Sequence, residues 1–385
     1  MGANMRNIAI LGSTGSIGKQ TIEVLSLHKD LYRIVALCAN SSLGELSEQA
    51  VETGAPVLGL SAGEVCVPDQ LKDRTWFFGS DALEKIASLP EVDDVLVSVV
   101  GVVGLKAVIA ARKAGKRVLL ANKETLVAGG ELVMNLCRED EFGPTLLPVD
   151  SEHSAILQCL QGEKDNPVYR IWLTASGGPF REWSKDAIQN ASVEQALGHP
   201  TWKMGKKITI DSASMFNKAL EIIEAKWLFG VEPEQIQVAI HPQSIVHSMV
   251  EFSDGAVKAQ LGTPDMRVPI LYAATYPERM STGVKRLDFE ALSRLTFFKP
   301  DLDKFPSLSL AYDCLKEGGA ACCVLNAANE VVANAFLNGI IPFGGIYRIV
   351  SETLQKAGHL PASSMDDILY ADGVSRNIAE NLMKQ

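Results

Sequence analysis

The chain has 385 residues, 47% of them apolar and 21% charged, which is enough for two or three domains with cores of their own. Its formal net charge of -10 excludes a general nucleic-acid or anionic-membrane surface, which would want clustered Lys and Arg, and no apolar run approaches the ~18 residues of a membrane span. Seven scattered cysteines form no C-x-x-C and no metal-ligand spacing, and the chain start has no apolar signal core, so reduced thiols and a cytoplasmic enzyme are expected.

The first element is a short apolar strand, Asn7-Ile8-Ala9-Ile10-Leu11, running into Gly12-Ser13-Thr14-Gly15-Ser16-Ile17-Gly18 and then a helical pattern from Lys19 to His28. Strand, glycine-rich turn and helix is the context a nucleotide phosphate requires, because the glycines let backbone N–H groups approach it at a helix N-terminus. The spacing is G-x-x-G-x-x-G rather than G-x-G-x-x-G, which a merely tight β–α turn would also show. The next strand, Tyr32 to Leu37, ends at Cys38-Ala39-Asn40-Ser41-Ser42. No Asp or Glu stands there to hold a ribose 2′-hydroxyl, and small polar groups accept a 2′-phosphate, so NADPH is favoured over NADH.

Val95 to Val100 reads as a continuous apolar strand, as in a parallel sheet covered on both faces. A helix over 105–114 follows, then a strand from Arg117 to Ala121 that delivers Asn122, Lys123 and Glu124 at its carboxyl end, where open α/β sheets bind ligands. For an isolated Lys–Glu a surface pair would be the default, but the position of Lys123 and Glu124 at the sheet's carboxyl edge points to cofactor or substrate contact. Residues 1–149 are thus expected to be a Rossmann-like, NADPH-binding parallel sheet.

Next comes Pro148-Val149-Asp150-Ser151-Glu152-His153. In an extended segment Asp150 and Glu152 would point to the same side. Two like charges so placed need an offset, and a hard divalent cation such as Mg²⁺ or Mn²⁺ supplies it; alone, the same residues would also make a solvated acidic turn. The strand Ile171 to Ala175 enters Ser176-Gly177-Gly178-Pro179-Phe180, a turn suited to cradling an anion. In His199-Pro200-Thr201-Trp202-Lys203-Met204-Gly205 a Trp stands outside any apolar periodicity, which predicts a mobile lid near 177–206.

From about Met215 the pattern is helical, with Asn217 and Glu221 four apart on one face and Lys218 three residues from Glu221. An amphipathic helix with an internal Lys–Glu pair would look the same, but with Asp150 and Glu152 needing a cation, Glu221 is the natural third carboxylate. His241 and His247 border an apolar strand and read as core or interface residues. Alternation over Val246–Phe252 and Val257–Leu261 predicts a sheet that closes this domain or pairs it with a second subunit. The expected architecture is α/β: the nucleotide domain, a central α/β catalytic and dimerisation domain over 150–275, a linker over 276–300, and a helical domain over 301–385. In the last, an apolar stripe from Ala320 to Leu337 ends at Asn338-Gly339.

These stretches together resemble the 1-deoxy-D-xylulose 5-phosphate reductoisomerase family. The resemblance rests on GSTGSIG at 12–18, ANKETLV at 121–127, PVDSEH at 148–153, SGGPF at 176–180, HPTWKMG at 199–205, DSASMFNKALE at 211–221 and IHPQSIVHS at 240–248. It implies NADPH- and metal-dependent conversion of a small phosphorylated sugar in non-mevalonate isoprenoid synthesis, with Mg²⁺, Mn²⁺ or Co²⁺, by a homodimer. It implies Asp150, Glu152 and Glu221 as metal ligands, with Ser151 touching substrate beside the metal. Ser176, Ser212, Asn217 and Lys218 match the substrate-phosphate cluster, His199 and Trp202 the lid, and Lys123 a lysine near the reacting oxygens. Gly12, Thr14, Gly15, Ser16, Ile17, Asn122, Lys123, Glu124, Gly205 and Met266 correspond to dinucleotide contacts. Where the family often has a Gly with Lys or Asn near it after the second strand, this chain has Ala39-Asn40-Ser41. Two other readings stay open from the residues alone: a metal-independent, two-domain NADP-dependent oxidoreductase, and a non-catalytic dinucleotide sensor.

Overall fold

A computed structural model describes residues 5–137, 144–163, 165–202 and 204–384; the chain start and Lys203 of the HPTWKMG stretch lie outside the described residues. The chain forms two compact units. The first takes the described residues of Met1–Thr125, Val133–Ser154 and Asp265–Val284, and the second those of Leu126–Leu132, Ala155–Pro264 and Lys285–Gln385.

The chain runs through β1 (Arg6–Leu11), α1 (Ser16–Ser26), β2 (Tyr32–Ala39), α2 (Leu43–Thr53), β3 (Val57–Leu60), β4 (Thr75–Phe78), α3 (Ala82–Ala87), β5 (Asp94–Val97), α4 (Val103–Lys113), β6 (Arg117–Leu120), α5 (Glu124–Met134) and β7 (Leu146–Pro148). The seven strands form one sheet in the order β4-β3-β2-β1-β5-β6-β7, and every neighbouring pair is parallel. β3 and β5 are buried along their whole length, which is why they read as apolar runs rather than alternating ones. Strand order reverses between β1 and β5, so the switch point where such sheets bind ligands lies at the carboxyl ends of these two strands. The strand expected over Val95–Val100 stops at Val97, because Ser98 turns its hydroxyl back onto the Leu11 carbonyl at 2.8 Å.

At the opposite end of the sheet, fully buried Asp94 accepts hydrogen bonds from Arg6, Arg117 and the Tyr32 hydroxyl, at 2.6–2.9 Å. Burial by itself would raise this carboxyl, but the two guanidinium groups hold it below the usual carboxylate range. Arg117 and Tyr32 also donate to the Ala274 carbonyl, at 2.7 and 2.6 Å. This cluster ties residues 265–284 to the sheet.

The expected extended form of Asp150-Ser151-Glu152 is not what forms. Helix α6 (Ser151–Leu160) begins directly after the strand end, and Asp150 Oδ1 accepts the Glu152 N–H at 3.2 Å as a helix-capping carboxylate. The pull of the capping bond and of the helix N-terminus on negative charge offsets the repulsion between the two carboxylates.

The chain continues through β8 (Val168–Ala175), α7 (Lys185–Gln189), α8 (Val193–Leu197), α9 (Lys206–Ala213), α10 (Phe216–Phe229), β9 (Ile236–Ile240), β10 (Val246–Phe252), β11 (Val257–Leu261), α11 (Arg267–Thr275), α12 (Phe289–Leu292), α13 (Ser307–Glu317), α14 (Ala321–Leu337), α15 (Phe343–Ala357) and α16 (Met365–Leu382). The second sheet has the order β11-β10-β8-β9, parallel only between β8 and β9. Phe343 of α15 packs edge-on against both Phe180 and Phe336, with ring centroids 5.1 and 5.3 Å away. The central segment and the C-terminal helices therefore share one apolar core. No helix among the described residues is long and apolar enough to cross a membrane.

Candidate active site

In the first unit the glycine-rich turn sits at the switch point. Gly12 has φ +89°, and a Cβ there would lie 2.7 Å from the Ser98 carbonyl oxygen; at Gly18 it would lie 2.4 Å from the Gly12 oxygen. Both positions therefore require glycine. Gly15 is the N-cap of α1 and brings no side chain to its open N–H groups, so the turn from Thr14 to Ile17, exposed at Gly15 and Ser16, offers backbone donors at a helix N-terminus. Ala39 ends β2, and exposed Asn40 accepts a hydrogen bond from Ser61 at 3.0 Å, while Ser41 is exposed beside it. Met266 is the N-cap residue of α11.

Asn122, Lys123 and Glu124 stand at the end of β6, as expected, but they are buried rather than a surface pair. The Asn122 amide donates to the Val99 and Gly101 carbonyls at 2.9 and 3.1 Å and to Glu124 at 2.8 Å. It thereby ties the loop after β5 to the start of α5. Lys123 reaches across to the next strand end, where its Nζ lies 2.7 Å from Asp150 Oδ2, and His153 Nδ1 lies 3.7 Å from Asp150 Oδ1. Burial alone would raise the Asp150 carboxyl, yet Lys123 and His153 hold it well below the usual range. The carboxylate is thus kept ionised in a largely dry setting. Ser151 donates to the Glu152 carboxylate.

In the second unit the turn after β8 and the α9–α10 junction pack together. Gly177 and Gly178 have φ +84° and +65°, and a Cβ on Gly178 would lie 2.7 Å from the Ser212 oxygen. Ser176 Oγ accepts the Gly178 N–H at 3.2 Å and lies 3.0 Å from His199 Nε2. His199 Nδ1 accepts the N–H groups of Thr201 and Trp202, at 3.2 and 2.9 Å, so the ring proton sits on Nε2 and is donated to Ser176. Burial lowers the His199 pKa and keeps the ring neutral. With both bonds accepted, the Ser176 hydroxyl hydrogen is left to donate to a further acceptor.

Ser212 lies in the last turn of α9 and Asn217 in the first turn of α10. Between them Met215 is left-handed, φ +60°, a conformation that costs a non-glycine residue ~1 kcal/mol or more and recurs at functional sites. Asn217 and Lys218 both donate to Glu221, which is 1% exposed. The Trp202 ring lies 6.1 Å from His247, and Gly205 is the N-cap of α9. Sequence reasoning missed His153, whose i+3 spacing from Asp150 carries meaning only once α6 is known to start at Ser151. It also missed His247 as the partner of Trp202.

Family models match three segments: "1-deoxy-D-xylulose 5-phosphate reductoisomerase" over residues 8–130, its C-terminal domain over 146–229, and a "DXP reductoisomerase C-terminal domain" over 261–378. The 1-deoxy-D-xylulose 5-phosphate reductoisomerase of Dechloromonas aromatica is 48% identical, covering 100% of this chain and 99% of that protein. The Zymomonas mobilis enzyme solved in complex with NADPH has a TM-score of 0.89 at 41% identity, covering 99% of this chain and 100% of that one. A DOX-P reductoisomerase solved with NADPH, fosmidomycin and magnesium has a TM-score of 0.91 at 42% identity, covering 99% and 98%.

Proposed function

The chain belongs to the 1-deoxy-D-xylulose 5-phosphate reductoisomerase family, and from that premise we propose how its residues divide the work. The enzyme is an NADPH- and divalent-metal-dependent oxidoreductase. It rearranges the carbon skeleton of 1-deoxy-D-xylulose 5-phosphate to an aldehyde, which takes up a hydride and a proton to give 2-C-methyl-D-erythritol 4-phosphate.

The donor chemistry fits both groups. Asp150, Glu152 and Glu221 offer only hard carboxylate oxygens, the set that Mg²⁺ or Mn²⁺ prefers. The turn from Gly12 to Gly18 is kept tight by glycines whose added Cβ atoms would clash with Ser98 and Gly12, and its uncapped helix N-terminus offers backbone N–H groups to a phosphate. When bound, the cation polarises substrate oxygens and NADPH supplies the hydride. Asp150, Glu152 and Glu221 hold the cation, and Ser151 contacts substrate beside it. Lys123 donates a proton or hydrogen bond at the reacting oxygens. Ser176, Ser212, Asn217 and Lys218 bind the substrate phosphate, giving binding energy remote from the reacting carbons that holds the substrate in a reactive pose. His199 orients Ser176, and with Trp202 it belongs to a lid near 177–206 that excludes water, so that the aldehyde is reduced rather than released. Thr14–Ile17, Ala39–Ser41, Asn122, Glu124, Gly205 and Met266 contact the dinucleotide. The working form we propose is a cytoplasmic homodimer.

The reading rests above all on Asp150, held ionised at the carboxyl end of a nucleotide-type sheet with Lys123 on one oxygen. Its test is the product. After incubation with 1-deoxy-D-xylulose 5-phosphate, NADPH and Mg²⁺, NMR should show 2-C-methyl-D-erythritol 4-phosphate in step with NADPH loss. NADPH oxidation without that product would reject it.

A further inference from the structure

Among the described residues, Asn329 and Ser307 of the C-terminal helices hydrogen-bond to the α9–α10 junction. Asn329 of α14 is fully buried and donates through Nδ2 to Asp211 Oδ1 at 2.9 Å; Asp211 itself is 2% exposed. The other Asp211 oxygen lies 2.7 Å from Lys207 Nζ, one helical turn back. Asp211 directly precedes Ser212. From α13, buried Ser307 donates to the Ser214 carbonyl at 2.7 Å, directly before left-handed Met215. The strained turn between Ser212 and Asn217 is therefore fastened from outside its own two helices, on both sides of Ser212.

Asn329 Oδ1 accepts no hydrogen bond among the described residues. Burying an amide oxygen without a partner is unfavourable, so an apolar side chain of similar volume would pack there at less cost. What the amide supplies is its donor, and that donor goes to Asp211.

We propose that Asn329 is a positioning residue for the substrate phosphate. Acting through Asp211, with Ser307 as a second tether, it fixes the α9–α10 turn so that Ser212, Asn217 and Lys218 converge on one anion. This deepens the functional reading above and rests on the assignment of those three residues to the phosphate.

The test uses the full-length enzyme with NADPH and Mg²⁺ and compares Asn329→Leu, Ser307→Ala and Ser212→Ala. Asn329→Leu should raise KM for 1-deoxy-D-xylulose 5-phosphate roughly tenfold, the size of one lost interaction of about 1.4 kcal/mol. Inhibition by inorganic phosphate should weaken in parallel, kcat should stay within about twofold, and NADPH affinity should not change. Ser307→Ala, the milder change, should shift the same two quantities in the same direction, and it carries the test if Asn329→Leu does not fold. A merely structural role would lower the melting temperature and the active fraction, leaving KM and phosphate inhibition where they were; that result in the folded variants would overturn the proposal. If Ser212→Ala raises KM while the two tether variants do not, positioning alone is wrong. If Ser212→Ala also leaves KM and phosphate inhibition unchanged, the phosphate-site assignment fails, and the proposal with it.

Discussion

The Lys123 ammonium lies 2.7 Å from the Asp150 carboxylate, each at the carboxyl end of one of two adjacent parallel strands. An ammonium placed there does two things: it keeps Asp150 ionised, and it leaves a proton donor beside a carboxylate assigned to the cation.

Lys123→Met removes that donor while keeping much of its aliphatic bulk. Turnover should fall by about 10²- to 10⁴-fold, the usual worth of a positioned acid–base group. Steady-state kinetics at saturating substrate checks this, and a loss smaller than threefold would remove Lys123 from the chemistry.

Glu221 is buried, with Lys218 and Asn217 on its two oxygens. Glu221→Gln retains the shape but loses the charge that a cation needs. Turnover should drop by several orders of magnitude, while NADPH affinity, measured by fluorescence titration, stays nearly the same. Equal activity with and without the carboxylate would reject its role as a metal ligand.

Burial pushes the His247 ring down to about 4, whereas an unfolded histidine titrates near 6.5. Between those values the unfolded chain binds more protons than the folded one. The contribution of His247 to stability is therefore complete above pH 6.5 and is lost as pH falls toward 4. His247→Gln should flatten the fall in melting temperature over that window. Parallel curves for the two proteins would contradict the account.

Asp94 joins Arg6, Arg117 and Tyr32 at the base of the first sheet. Its depressed pKa means that the stabilisation is full above the unfolded value of about 3.9 and is lost only as pH falls through the lower folded value. Asp94→Asn leaves two guanidinium groups uncompensated and should destabilise the first unit by about 3 kcal/mol at pH 7. Urea unfolding followed at pH 7 reads this directly, and an unchanged midpoint would show the cluster to be dispensable.

The parts of the fold set by local pattern were legible in the sequence. Alternation places β10 and β11 at their observed bounds, and the glycine turn, the strand that leads to Lys123 and the long helix capped by Asn338 stand where the pattern puts them. Helix α9 was not legible, because Ile208-Thr209-Ile210 is β-branched and strand-like; burial of Ile210 and Ala213 overrides that propensity. The helical start at Ser151 was hidden because a D-x-E looks alike in either conformation until the Asp150 cap is seen. The tie from Asn329 to Asp211 spans 118 residues and leaves no local signal.

Reduction should depend on a cation held by Asp150, Glu152 and Glu221. The most direct measurement is NADPH consumption with 1-deoxy-D-xylulose 5-phosphate in Mg²⁺ or Mn²⁺, again in excess EDTA, and once more after the metal is restored, with NADPH binding followed throughout. Activity should vanish with EDTA and return with metal while NADPH remains bound. Turnover that ignores EDTA would contradict the account and point to a metal-independent oxidoreductase.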